Sequence, residues 1–265
     1  MRSVLTLPFL AGLATSLPSP AQQPFSLESD LAGERVNVSL YVMSRCPDAR
    51  LCENVFQSVI QQEGILDKID LNVGYIGTPN KTEPLGVTCK HGQIECIGNA
   101  HQICLYEHLP VDKAYAVVQC QNYPSTFPKE IGSVESIQKC VKTVGIDWVN
   151  SGVGKCIQGK NFNQTLETPQ KHKGKDKPEG GGDDEVKLLG KEATQLLKRN
   201  IKEVYDKGIT TSCTIDIDST VNKAGKRRCV VDGGVWKGCD DGHTAQDFIR
   251  VIEEEYKNLQ SKKDE

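Results

Sequence analysis

The cysteine with the clearest chemical role lies in the segment Cys46-Pro47-Asp48-Ala49, at a change from strand to helix pattern. Residues 36–42 alternate apolar and mixed side chains, which predicts a strand. Pro47 suits the first turn of a helix, where its missing N–H leaves no hydrogen bond unmade. Because a helix N-terminus stabilises a thiolate, Cys46 is predicted to be a reactive nucleophile, and the alternative is a structural half-cystine. Arg45 and Arg50 would add positive charge beside it, and Asp48 would oppose them.

Cys52 is too far along the predicted helix to pair with Cys46. Six residues of helix correspond to about 9 Å of rise, and a disulfide needs Cα atoms within about 7 Å. Cys52 also follows the helical spacing of Val55, Phe56 and Val59. We therefore expect Cys52 to behave as a small apolar core residue.

The other cysteines indicate an oxidising compartment. The chain has 11 cysteines, and disulfides persist in secreted and lumenal proteins. Three bridges, with the pairing left open, are expected among Cys89, Cys96, Cys104, Cys120, Cys140 and Cys156. Cys229 and Cys239 flank a turn at residues 232–234 and could bridge a hairpin. At least one thiol must then stay free among Cys46, Cys52 and Cys213.

A zinc site is the competing hypothesis for part of this set. Its ligands would be Cys89, His91, Cys96, His101 and Cys104. Their spacing lacks the short paired hooks of structural zinc sites, so we predict disulfides, with no metal and no cofactor. His91 and Glu95 could form an acid–base pair, but local hydrogen bonds that orient the loop are the preferred interpretation.

The remaining patterns predict a β-α-β unit, a helical insertion and an α-β-β-α unit. A second strand at 69–76 would run parallel to the first through a right-handed crossover. Helical patterns cover 105–118, 134–144, 186–204 and 244–259, and strands are predicted at 214–218 and 228–231. Residues 168–185 have no large apolar side chain and are predicted to be a disordered loop. This order predicts an α/β, thioredoxin-like domain over 34–260, with an insertion over about 80–160.

The N-terminal 21 residues are predicted to be a signal peptide. Met1-Arg2 gives a positive start, an apolar run follows, and Ser19-Pro20-Ala21 offers small residues for cleavage. The run is too short to span a bilayer, so no membrane anchor is expected. The net charge of −3 and the lack of a basic stripe exclude nucleic acid as a partner. Sequons at Asn37, Asn80 and Asn163 fit this route, whose end would be extracellular or a lysosome or vacuole lumen.

A long motif then suggests a family. The run Cys89-Lys90-His91-Gly92-Gln93-Ile94-Glu95-Cys96-Ile97-Gly98-Asn99, with Cys104 five residues on, closely resembles the signature of the gamma-interferon-inducible lysosomal thiol reductase (GILT) family. The resemblance covers roughly 36–257. It implies a thioredoxin-like fold and reduction of disulfide-containing protein substrates without a prosthetic group.

Two positions depart from the family pattern. Ala49 stands where the family has its second active-site cysteine, and Ser212-Cys213-Thr214 replaces the cis-proline segment. In a thioredoxin-like fold Cys213 would pack against Cys46, which predicts Cα atoms within about 7 Å. The peptide bond before Cys213 is expected to be trans, because cis costs about 2.5–4 kcal/mol without proline. Cys213 would then either resolve mixed disulfides on Cys46 or lock it in a bridge, which leaves an oxidoreductase and an inactive scaffold both open.

Overall fold

The computed structural model describes residues 34–162 and 186–261, and their strands form one central sheet and a small second one. The central sheet has the order β2-β1-β5-β6-β7. Its strands are β1 (Val36–Val42), β2 (Ile69–Tyr75), β5 (Thr214–Asp218), β6 (Lys226–Asp232) and β7 (Val235–Lys237). β1 and β2 are parallel, and each later neighbour is antiparallel. A two-stranded sheet pairs β3 (Thr78–Pro79) with β4 (Val87–Thr88).

Residues 186–188 are helical, and seven helices lie wholly within the described ranges. They are α1 (Pro47–Ile60), α2 (Gln93–His108), α3 (Val111–Asn122), α4 (Val134–Thr143), α5 (Val153–Gln158), α6 (Lys191–Asp206) and α7 (Ala245–Ser261). A single 3-10 turn, Gly159–Asn161, follows α5. The β1-α1-β2 unit, the α2–α5 insertion and the closing β5-β6-α7 unit make the fold thioredoxin-like with an enlarged middle, as predicted.

The two faces of the sheet are covered by different helices. α1 and α7 pack together, with the rings of Phe56 and Phe248 at 5.0 Å between centroids. Ser39 and Tyr41 of β1 line a common groove with Asn200 of α6. Successive strand residues point to opposite faces, so the fully buried Val38 and Leu40 point toward the face opposite α6.

Two helix boundaries differ from the sequence predictions. The pattern at 105–118 spans the end of α2 and the start of α3, because Leu109 is extended (φ −125°, ψ 152°) before Pro110. Proline disfavours helical geometry in the residue before it. The pattern that starts at Val186 is helical at 186–188, is interrupted at 189–190 and continues as α6 from Lys191. Gly190 approaches α5 so closely that a Cβ there would lie 2.4 Å from the Cys156 carbonyl oxygen.

Several predictions fall outside the described residues. They are the signal peptide at 1–21, the loop at 168–185 and the sequon at Asn163.

Candidate active site

Cys46 is the residue that caps the N-terminus of α1, directly after the central strand β1. Its backbone is extended (φ −85°, ψ 127°), and its N–H donates to the Met43 carbonyl oxygen at 3.0 Å. The side chain is 6% exposed. Within the part of the chain that the structure describes, Cys46 is the free cysteine, as the odd count predicted. Cys46 therefore lies at the N-terminus of α1, as predicted.

The segment before β5 lies beside Cys46. The Cys46 Sγ is 3.7 Å from the Ser212 carbonyl oxygen, and the Ser212 hydroxyl accepts a hydrogen bond from the Met43 N–H at 3.0 Å. The expected juxtaposition of the two segments is therefore present. The Ser212–Cys213 peptide bond is cis, so the prediction of a trans bond was wrong. Contacts of Ser212 on both sides hold this segment against the Cys46 loop.

Cys213 is not paired with Cys46, and this corrects the predicted role. Cys213 forms a disulfide with Cys52, with Cα atoms 6.4 Å apart. Both side chains are fully buried. The rise of the helix separates Cys52 from Cys46, but Cys52 lies against Cys213, the residue directly before β5. Cys52 is thus a core residue as predicted, and it is also the partner that removes Cys213 as a free resolving thiol.

The charged neighbours of Cys46 are engaged with other groups. Arg45 donates to the Ile131 carbonyl oxygen at 2.7 Å, and the Arg50 guanidinium lies 5.0 Å from the centroid of the Phe127 ring. The Asp48 carboxylate accepts hydrogen bonds from the N–H groups of Gly233 and Gly234 at 2.9 and 2.7 Å. The β6–β7 turn is therefore joined to the first turn of α1.

The signature motif supports the loop that carries Cys46. The Ser44 N–H donates to Asn99 Oδ1 at 2.9 Å, and the Ser44 hydroxyl donates to the Glu95 carbonyl oxygen at 3.3 Å. The Asn99 amide also lies 3.7 Å from Cys89 Sγ. A Cβ on Gly98 would come within 2.7 Å of Ser44 Oγ, which explains the small residue there. Sequence reasoning missed this role, although Glu95 and Asn99 are four residues apart and share a helix face.

His91 and Glu95 form the local pair expected to orient this loop. The fully buried Glu95 carboxylate contacts His91 Nδ1 and accepts from the His91 N–H at 3.2 Å. A buried carboxylate needs such partners. The geometry supports the orienting interpretation.

The remaining cysteines are paired within their own segments. The insertion contains Cys89–Cys96, Cys104–Cys156 and Cys120–Cys140, and the last hairpin carries Cys229–Cys239. The three insertion bridges and the hairpin bridge match the prediction.

The cysteines of the predicted zinc site are not available as thiolate ligands. Cys89, Cys96 and Cys104 are all disulfide-bonded. Burial lowers the pKa of His101 to about 3, so its ring is neutral. Elsewhere in the described ranges, ligand atoms of His108, Cys156 and Glu192 lie within 4.8 Å of one another. The Cys156 sulfur in that group is bonded to Cys104 and is not available as a thiolate ligand.

Glu53 is a buried ionisable group that sequence reasoning missed. Burial raises its pKa to about 7, while a hydrogen bond from Asn122 acts in the opposite direction. The Asn122 amide donates to Glu53 Oε2 at 2.6 Å, and the Tyr115 hydroxyl donates to the Glu53 carbonyl oxygen at 2.9 Å. Because Glu53 lies in α1 and both partners lie in α3, these hydrogen bonds join the two helices. In the sequence, the acidic Glu53 next to Cys52 on the apolar face of the predicted helix could have indicated this buried carboxylate.

Two of the predicted sequons can be located. Asn37 is exposed on β1, and its amide donates to Asp218 Oδ2 at 3.1 Å. Asn80 is half-buried, and its amide donates to the Thr88 hydroxyl at 3.0 Å. Across the ranges 34–162 and 186–261, no helix combines the length and apolar character required to cross a bilayer.

A thioredoxin-like sheet with a free cysteine at the start of its first helix defines a class, the thiol–disulfide oxidoreductase fold. Comparison with known proteins indicates which family within this class the chain resembles. The sequence profile of gamma interferon inducible lysosomal thiol reductase (GILT) matches residues 37–144. The Gamma-interferon-inducible lysosomal thiol reductase of Mus musculus is 24% identical over 133 residues, which cover 49% of this chain and 51% of the mouse protein. The match spans about half the length of that relative. The resemblance predicted from the signature is thus confirmed over residues 37–144.

Two solved structures are similar in outline. Reduced DsbA1 from Neisseria meningitidis has a TM-score of 0.44 at 11% identity, over 95% of this chain and 99% of that chain. Wolbachia pipientis alpha-DsbA1 has a TM-score of 0.43 at 12% identity, over 86% of this chain and 89% of that chain.

Proposed function

We propose that this protein reduces disulfides of protein substrates through the single thiol of Cys46, with an external thiol completing the cycle. The observation that carries this proposal is the state of the cysteines near α1. Cys46 is free at the helix N-terminus, while Cys52 and Cys213 are bonded to each other. Ala49, at the place of the family's second active-site cysteine, has no thiol.

The reaction balances without an internal resolving cysteine. The Cys46 thiolate attacks one sulfur of a substrate disulfide, and the other sulfur leaves as a thiolate and takes a proton. A small external thiol then attacks the Cys46 sulfur and releases the second substrate thiol. A second external thiol regenerates the Cys46 thiolate and leaves as an external disulfide. Two external thiols are oxidised for each substrate disulfide reduced.

The decisive experiment compares Cys46→Ser with the unaltered chain. We expect the substitution to abolish reduction of a protein disulfide in the presence of glutathione, because the nucleophile is lost. The Cys46-dependent rate should rise with glutathione concentration. Turnover that persists in Cys46→Ser at the same rate would contradict the proposal.

A binding scaffold is the second candidate, and the burial of Cys46 favours it. At 6% exposure, the sulfur reacts only if the surrounding loop moves. Absence of both alkylation of Cys46 and turnover in the folded wild-type chain would establish the scaffold.

We further propose that the chain enters the secretory pathway and ends outside the cell or in a lysosomal or vacuolar lumen. Five disulfides fit a lysosomal or secreted protein. The predicted cleavage after residue 21 and glycans on Asn37, Asn80 and Asn163 belong to the same proposal. Mass spectrometry of the protein secreted from a eukaryotic host, with and without glycosidase, tests all of these features. Retention of residues 1–21 in the secreted protein would contradict the cleavage.

A further inference from the structure

A polar groove of about 520 Å³ lies on the same face of the central sheet as α6. Residues of β1, β2, β5 and β6 contribute to its lining, and α6 forms one wall. This volume lies in the range typical of binding pockets, about 300–1,000 Å³. The lining does not include Cys46, so the groove is distinct from the site of the reactive thiol.

The strands present polar side chains to this groove. Asn37, Ser39 and Tyr41 alternate along β1 and therefore point to one face of the sheet. Ser39 is paired in register with Asn72 of β2 and with Asp216 of β5, and both also line the groove. Most small-molecule pockets are lined mainly by apolar side chains. This lining instead favours a ligand that is rich in hydrogen-bonding groups.

Charged side chains of both signs line the same groove. Glu203 and Lys207 of α6 are exposed, and so are Asp218 and Lys226 of the strands. The Lys207 ammonium lies 5.5 Å from the centroid of the Tyr41 ring and donates to its hydroxyl at 3.4 Å. Such a mixture selects neither an anion nor a cation. It suits a neutral ligand whose hydroxyl groups donate to carboxylates and accept from ammonium groups, as those of a sugar do.

Asn37 connects this groove to the predicted glycosylation. It is exposed, it belongs to the lining, and it is the acceptor of the sequon Asn37-Val38-Ser39. Its Nδ2 donates one hydrogen to Asp218 Oδ2 at 3.1 Å, which leaves the second hydrogen as the one that a sugar replaces. Because β1 lies between β2 and β5, a glycan on Asn37 leaves the sheet through its face and not past an edge. The first sugar therefore starts within the groove.

We propose that this groove binds the first N-acetylglucosamine rings of a glycan on Asn37, and this inference rests on the proposed glycosylation of that residue. Transfer from a lipid pyrophosphate donor forms the bond from Nδ2 to sugar C1 and breaks the bond from C1 to the phosphate. The lipid pyrophosphate leaves, and the Nδ2 proton goes to solvent. The sugar hydroxyls then hydrogen-bond to the carboxylates and ammonium groups along the groove. The bound rings cover the polar face of β1 and β5.

The test measures how well the folded chain protects this glycan. The full chain is secreted from a eukaryotic host that attaches only high-mannose glycans, and it is treated with endoglycosidase H, which cuts between the first two sugars. The reduced and alkylated chain gives the rate for the unfolded state. Peptide mass spectrometry gives the occupancy and the cleavage rate at Asn37, and also at Asn80, which directly follows β3 and serves as the internal control.

We expect folding to slow cleavage at Asn37 by roughly tenfold, which corresponds to about 1.4 kcal/mol of contact between the sugar and the groove. Cleavage at Asn80 should be slowed much less. Two variants then fill the groove from exposed positions in its lining, Asn72→Trp and Glu203→Trp. Both should restore cleavage at Asn37 toward the rate in the unfolded chain. Gln195→Trp, at an exposed position of α6 outside the lining, is the matched control and should leave the protection unchanged.

The possible failures can be told apart. An Asn37 without a glycan would contradict both the proposed glycosylation and this inference. An occupied Asn37 that is cleaved equally fast in the folded and unfolded chains would overturn the groove inference alone. Slow cleavage that persists in both filled variants would assign the protection to another surface and would also overturn it. None of these outcomes depends on turnover through Cys46, so loss of the proposed reductase function would leave the groove inference standing.

Discussion

In the helical insertion every cysteine is bonded to another cysteine of the insertion, whereas the sheet and its helices keep one cysteine free. The insertion bridges join residues 7, 52 and 20 positions apart, and Cys52–Cys213 joins residues 161 positions apart. The short bridges hold a region that contacts Ser44 and Arg45, the two residues before Cys46. The long bridge fixes α1 to β5 directly behind the reactive residue. Bonding Cys52 to Cys213 is thus what leaves Cys46 as the free thiol.

The two kinds of bridge should differ in their contribution to stability. The chain-entropy relation gives about 5 kcal/mol for the loop closed by Cys52–Cys213 and about 2.5 kcal/mol for Cys89–Cys96. We therefore expect the pair Cys52→Ala/Cys213→Ala to lower the free energy of unfolding about twice as much as Cys89→Ala/Cys96→Ala. Guanidinium titration of the oxidised proteins measures both values. Equal losses would show that loop length does not govern these bridges.

The same paired variant tests the assignment of Cys213. Because Cys213 is bonded to Cys52, we expect no intramolecular resolution, and the variant should accumulate as much mixed disulfide on Cys46 as the wild type does. Mass spectrometry of acid-quenched reactions gives this yield. A large excess of trapped adduct in the variant would restore Cys213 or Cys52 as the resolving thiol. Cys229→Ala/Cys239→Ala is the control for loss of a bridge.

The stability of the folded chain should depend on pH through Glu53, which joins the two regions. Its pKa is raised from 4.5 to about 7 in the folded state, so the folded chain binds the extra proton between these values. The contribution of Glu53 to stability should therefore be fully present below about pH 4.5 and fall by up to about 3 kcal/mol as the pH rises through 7. Glu53→Gln should remove this dependence, and the exposed Glu63→Gln should retain it. Urea titrations from pH 4 to 8 measure the difference.

If the Glu53→Gln chain still loses stability as the pH rises from 4 to 8, another ionisable group causes the pH dependence. The expected slope comes from the burial of Glu53, because the hydrogen bond from Asn122 favours the ionised carboxylate and opposes it.

The sequence predicted the order of elements and the position of Cys46 because both depend on local patterns. Alternation in 36–42 and Pro47 were sufficient to place a cysteine between a strand and a helix. The partner of Cys52 could not be predicted, since it depends on how the helix face packs against a strand 161 residues away. The contacts of Ser44 with Glu95 and Asn99 were missed for the same reason.

The smallest effect is expected at Ser44, where the insertion touches the loop of the reactive cysteine. Ser44→Ala removes the hydrogen bond to the Glu95 carbonyl oxygen and keeps the N–H bond to Asn99. One such bond contributes about 1 kcal/mol. If the buried Cys46 reacts only when its loop opens locally, this loss should speed its alkylation by roughly fivefold. Iodoacetamide labelling followed by mass spectrometry measures the rate, with the exposed Ser58→Ala on α1 as the control. An unchanged rate in a destabilised Ser44→Ala chain would show that Cys46 is attacked without opening of the loop. The burial of Cys46 would then no longer be an argument for the scaffold.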